Sequence, residues 1–147
     1  MNIGFLGLGK LGLPCALAIE EAGHRVLGYD IDKNVRKILD ERVLPYREAG
    51  AQILLDKHNI EWTNITNLVT SSDIIFVPIQ TPHNPKYEGV TRLPNERVDF
   101  DYEWLKSGLK NLSDEIAAQE KDKIVVIIST VLPGTIRREI KPLLSSH

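Results

Sequence analysis

Short apolar runs alternate along this chain with longer stretches in which apolar residues recur every three or four positions. That alternation predicts βαβ units built around a mostly parallel sheet. Runs at about 2–7 (NIGFLG), 25–29 (RVLGY), 60–63 (IEWT), 73–78 (DIIFVP) and 123–128 (KIVVII) read as strands. Between the first two lies "LGLPCALAIEEAGH", a helix whose Pro14 falls in the first turn, where N–H groups are spare, and whose Gly23 supplies the C-cap. Helical spacing returns near 33–42 and 48–57. Between 102 and 120 it sets Tyr102, Leu105, Leu109, Leu112 and Ile116 on one apolar stripe. A last helix is expected from near Gly134 to the end. The fold class this implies is α/β: a Rossmann-type doubly wound sheet in three α/β/α layers, one domain over residues 1–147. The segment 79–100 has no periodicity, and such long irregular stretches are usually functional or mobile.

Composition narrows the classes. The 18 basic residues are scattered and slightly outnumbered by 20 acids, so no nucleic-acid partner is expected. No apolar stretch reaches the ~18 residues of a membrane span, and no basic leader precedes the first strand. A single cysteine excludes an intrachain disulfide and points to a reducing, cytoplasmic setting. That residue, Cys15, sits in apolar "LPCALAI" and reads as a packing thiol rather than a nucleophile. The four histidines show no metal-ligand spacing with one another or with Cys15, so no metal is expected.

Candidate chemistry starts at "GLGKLG", residues 7–12, a G-x-G-x-x-G that follows a strand and opens a helix. Gly7 permits the tight turn, Gly9 lets a pyrophosphate approach the backbone, and Gly12 lets helix and strand pack closely. The backbone N–H groups of Leu8, Lys10 and Leu11, with the helix dipole, would face the diphosphate. Asp30 ends the second strand, where it would accept from both ribose hydroxyls and repel a 2′-phosphate. The cofactor is therefore expected to be NAD. The plainer reading of the same glycines is a turn that serves packing alone.

Two more strand ends carry unusual residues, "IIFVPIQTP" (74–82) and "VVIISTVLPGT" (125–135), and in open α/β sheets ligands bind beyond such ends. Together with "GLGKLGLP", "YDID" and "REAG", these resemble, in order, the motifs of the UDP-glucose/GDP-mannose dehydrogenase family's NAD-binding domain. The resemblance runs over essentially the whole chain. It implies oxidation of the C6 alcohol of a nucleotide sugar to a carboxylate with two NAD. It also implies that Pro78, Thr81 and Ser129 lie at the cofactor, and that Thr130 lies beside the nicotinamide and helps position a catalytic water. The plainer reading of the hydroxyls is strand-end capping. The chain departs from the family in "QTP" for "PTP", in a longer, more basic 83–98 loop, and in Val35 where a lysine is common.

The resemblance further implies that the nucleophilic cysteine, its partners and the dimerisation helix belong to parts of the family not found in these residues. The chain then reads as an N-terminal fragment that binds NAD without turnover. A full-length protein would be a homodimer acting on a nucleotide sugar. Two other readings stay open: the NAD-binding domain of a β-hydroxyacid dehydrogenase, which shares the first 12 residues' pattern, and a stand-alone nucleotide-binding module. Strand 123–128 is expected at a sheet edge, guarded by Lys123 alone and prone to self-association.

Overall fold

The computed structural model describes residues 1–87, 92 and 95–144. Five strands, β1 (Asn2–Leu6), β2 (Arg25–Tyr29), β3 (Glu61–Trp62), β4 (Ile74–Val77) and β5 (Ile124–Ile127), form one parallel sheet in the order β3-β2-β1-β4-β5. The chain builds outward from β1 to β3, then crosses back to lay β4 against the other side of β1. That reversal opens a crevice at the carboxyl ends of β1 and β4, where ligands bind in this architecture.

Side chains alternate across the sheet as strand geometry requires. Ile3, Phe5 and Val26 face one core, closed by α1 (Gly12–Glu21), α2 (Lys33–Glu41) and α3 (Ala51–Leu55). Leu6, Leu27, Ile75 and Val77 face the other, closed by α4 (Ile65–Ser71), α5 (Glu103–Ala118) and the C-terminal helix, whose first turn, Ile136–Ile140, is π and which continues as α6 (Lys141–Leu144). Register aligns Phe5 with Phe76, and their rings stack with centroids 5.3 Å apart. The two-residue β3 is fastened to β2 by Arg25, whose guanidinium donates to both carboxylate oxygens of Glu61 at 2.7 Å.

All five expected strands are present, each within a residue or two of its predicted span. Gly23 follows α1 in the left-handed region, φ +92°, and its N–H caps Glu20 O at 2.8 Å. Asp32 caps α2 by accepting from Asn34 N at 2.9 Å. Helix α4 was not anticipated. Its β-branched residues weaken a helical reading, but the Asn64 side chain accepts from Asn67 N at 2.8 Å and fixes the first turn. The helix predicted over 48–57 is shorter, because Gly50 at φ +79° starts it only at Ala51. Val35 is buried in the first core, and its neighbour Arg36 is exposed on α2, where it pairs with Asp40 at 3.6 Å. Cys15 is half-buried against the first core, less enclosed than a wholly buried thiol. Among its described residues the irregular 79–100 segment holds one 3-10 turn, Pro85–Tyr87, and Asp101 N, just past its end, donates back to Pro82 O at 2.8 Å. The expected mobility of 83–98 falls partly on residues outside the described set.

Candidate cofactor site

Beyond β1 the chain turns through Gly7 at φ +113°, a backbone conformation that side chains disfavour. The two other motif glycines meet different surroundings. A Cβ on Gly12 would stand 2.4 Å from Gly7 O and 2.8 Å from Pro78 Cγ, so α1 can start against the turn only without one. A Cβ on Gly9 would meet nothing within 4 Å. The space above Gly9 is open to a ligand that needs to approach the backbone.

The Asp30 carboxylate lies across this turn. Its Oδ2 accepts from Leu8 N at 2.7 Å and its Oδ1 from Asp32 N at 2.9 Å, which holds both oxygens in place at the end of β2. This modifies the sequence expectation for Leu8. Its N–H serves Asp30 rather than the diphosphate, while its side chain is buried and packs so tightly over Gly28 that a Cβ there would lie 2.3 Å away. Lys10 and Leu11 are exposed on the turn, and Lys10 Nζ lies 6.0 Å from the Tyr46 ring centroid.

A cleft of about 520 Å³ opens here, lined by Gly7, Gly9, Asp30 and Pro78 among the anticipated residues. Pro78 is also buried, so it doubles as packing for the glycine turn. Sequence reasoning missed the opposite wall: Ile31, Ile65, Ile79, Trp104 and Gly108 also line the cleft. On α5 the residues at 104, 107, 108 and 111 form a second stripe beside the core stripe, and of these Trp104 alone is large and apolar.

Thr81, Ser129 and Thr130 do not line that cleft but are brought together beside it. Thr81 Oγ1 donates to Thr130 O at 2.6 Å, and Ser129 Oγ donates to Val77 O at 3.1 Å. The ends of β4 and β5 are thus cross-linked by two hydroxyls, and the Thr130 side chain is left exposed. Behind them sits Tyr102, buried at the start of α5. Its hydroxyl donates to Asp99 Oδ1 at 2.5 Å and accepts from Leu132 N at 3.1 Å, which holds the turn after Thr130. The bond from Tyr102 is the main cause that keeps the Asp99 carboxyl below the usual carboxylate range, helped by Phe100 N–H and Arg138.

The arrangement suits a dinucleotide: bare backbone at Gly9 for a diphosphate, a fixed carboxylate for ribose hydroxyls, and hydroxyls at a neighbouring strand end. Among the described residues there is no helix long and apolar enough to cross a membrane, and no group of three His, Cys, Asp or Glu placed to hold a metal.

Comparison with known proteins agrees with this geometry. The family model described as "UDP-glucose/GDP-mannose dehydrogenase family, NAD binding domain" matches residues 1–147. GDP-mannose 6-dehydrogenase of Pseudomonas aeruginosa is 28% identical over 98% of this chain, and an uncharacterised protein of Methanocaldococcus jannaschii is 33% identical over all of it. The crystal structure of a ternary complex of the Pseudomonas aeruginosa GDP-mannose dehydrogenase superposes with a TM-score of 0.83 at 26% identity over 98% of the chain. The chain spans 32% of the Pseudomonas protein's length and 15% of the Methanocaldococcus protein's.

Proposed function

This chain belongs to the UDP-glucose/GDP-mannose dehydrogenase family as an NAD-binding domain, and from that premise we propose that it serves a nucleotide-sugar 6-dehydrogenase. The whole protein would oxidise the C6 alcohol of a nucleotide sugar to an aldehyde and then, with water, to a carboxylate. Bound NAD supplies the hydride acceptor for each step, so two are reduced per sugar.

The observation that carries the reading is Asp30, held by Leu8 N and Asp32 N beside the bare backbone of Gly9. In this reading Gly7, Gly9 and Gly12 shape the diphosphate cradle, and the N–H groups of Lys10 and Leu11 face it. Leu8 acts through Asp30. Asp30 accepts from the ribose hydroxyls, and its charge repels a 2′-phosphate. Pro78, Thr81 and Ser129 hold the strand ends that carry the nicotinamide half. Thr130, the one residue assigned to the chemistry, positions a water with its exposed hydroxyl. Its support is the bond of Thr81 to the Thr130 carbonyl, which holds the backbone that carries that hydroxyl. The lone, half-buried Cys15 is consistent with a cytoplasmic setting and has no role in the reaction. Homodimerisation belongs to the full-length protein.

The test is a coupled assay of the full-length protein against a panel of nucleotide sugars. Two NADH formed per sugar carboxylate is the expected stoichiometry, with kcat lowered by Thr130→Val at unchanged NAD affinity. One NADH per sugar, or a β-hydroxyacid oxidised in preference to every nucleotide sugar, would move the chain to another reaction.

A further inference from the structure

One wall of the cleft is explained neither by the glycine turn nor by Asp30. Helix α5 carries two stripes. Leu105, Leu109 and Leu112 are buried in the second core, whereas Trp104, Ser107, Gly108 and Asn111, three and four apart, face the cleft. A solvated stripe beside a core stripe ordinarily carries charged and polar side chains. This one begins with an indole that is 61% exposed. Ile31, directly after Asp30, lines the same cleft and is 89% exposed. The same cleft is lined by Gly108 with Ile79 packed directly on it, since a Cβ on Gly108 would stand 2.3 Å from Ile79 Cδ1.

The cleft is thus an apolar slot, open to water, beside a carboxylate held for ribose hydroxyls. Its walls are mostly apolar and carry two aromatic side chains, Tyr29 and Trp104; the charged residues lining it, Asp30 and Asp32, are both acidic, so nothing there calls for an anionic ligand. A flat, uncharged aromatic ring joined to a ribose matches that chemistry. Contiguous exposed apolar patches mark ligand-binding grooves among other interaction sites, and bases stack on aromatic side chains with substantial gain. We propose that Trp104 is the platform on which the adenine of the dinucleotide stacks, with Ile31 closing the other side. The assignment rests on the NAD reading above.

The chain has two tryptophans, and Trp62 packs against the first core, away from the stripe on α5. Trp62→Phe therefore isolates the emission of Trp104. Titrating that variant with ADP-ribose should quench its fluorescence, with a midpoint equal to the calorimetric Kd. Trp104→Phe should abolish the quench and keep the Kd within about threefold, because a phenyl ring still stacks. Trp104→Ala should weaken ADP-ribose and NAD alike by about tenfold or more, at the low end of base stacking, with the melting midpoint unmoved. Unchanged affinity in Trp104→Ala overturns the assignment. So does a silent Trp104 when ADP-ribose binds, even if Trp104→Ala fails to fold. A parent chain that binds neither ADP-ribose nor NAD would instead remove the cofactor reading and this inference with it.

Discussion

The two glycines at positions 9 and 12 share a motif but not a constraint. At Gly12 a methyl group would press on Gly7 O and on the Pro78 ring, so Gly12→Ala must shift α1 or the turn. Overpacking of this kind costs about 1–3 kcal/mol, and the melting temperature should fall accordingly. At Gly9 the same methyl group meets open space. Gly9→Ala should leave stability within about 0.5 kcal/mol, as surface changes usually do, yet weaken NAD because the methyl fills the approach to the backbone. Thermal melts and NAD titrations of the two variants check this contrast, and a Gly9→Ala protein that binds NAD like the parent would contradict it. The glycine pattern and the separate tasks of Gly9 and Gly12 could be read from the sequence, but what Gly12 packs against could not. That partner is Pro78, 66 positions beyond Gly12 in the chain.

At the scale of elements, the turn that carries Thr130 is held from behind by Asp99, Tyr102 and Leu132. Asp99 has a carboxyl pKa lowered in the folded protein. Its contribution is therefore present above the unfolded value, about 3.9, and is lost as pH falls through the lowered folded value. Asp99→Asn should melt lower than the parent near pH 6, and the gap should close below about pH 4. A gap that widens on acidification would reverse the sign of the argument. Strand β5 poses a different problem. Among the described residues it pairs only with β4, and Ile124 is 60% exposed. An open edge with little charge invites pairing with another copy, so the 147-residue chain should associate with rising concentration, and Val126→Lys should reduce it. Sedimentation showing a monomer throughout would count against edge pairing. Elements with strong periodicity, such as α1, α5 and the five strands, were legible. Helix α4 was not, because one side-chain cap at Asn64 offset a run of β-branched residues.

Taken whole, the molecule is a five-stranded parallel sheet whose strands all end at one edge, where the ends of β1, β2, β4 and β5 carry the candidate residues. The ordered motifs made that convergence legible in the sequence, because each sits where a strand stops. The apolar wall of α5 was hidden for the opposite reason. Its residues look like ordinary helix surface until α4 and the Ile31 turn are seen across the cleft.

The central claim is that this crevice is built for NAD and selects it through Asp30. Calorimetric titration of the 147-residue chain with NAD and with NADP tests that claim most directly. The account predicts that NAD binds and that NADP binds at least tenfold more weakly, a gap of about 1.4 kcal/mol, which narrows in Asp30→Ala. Equal affinities in the parent, or no NAD binding at all, would contradict it.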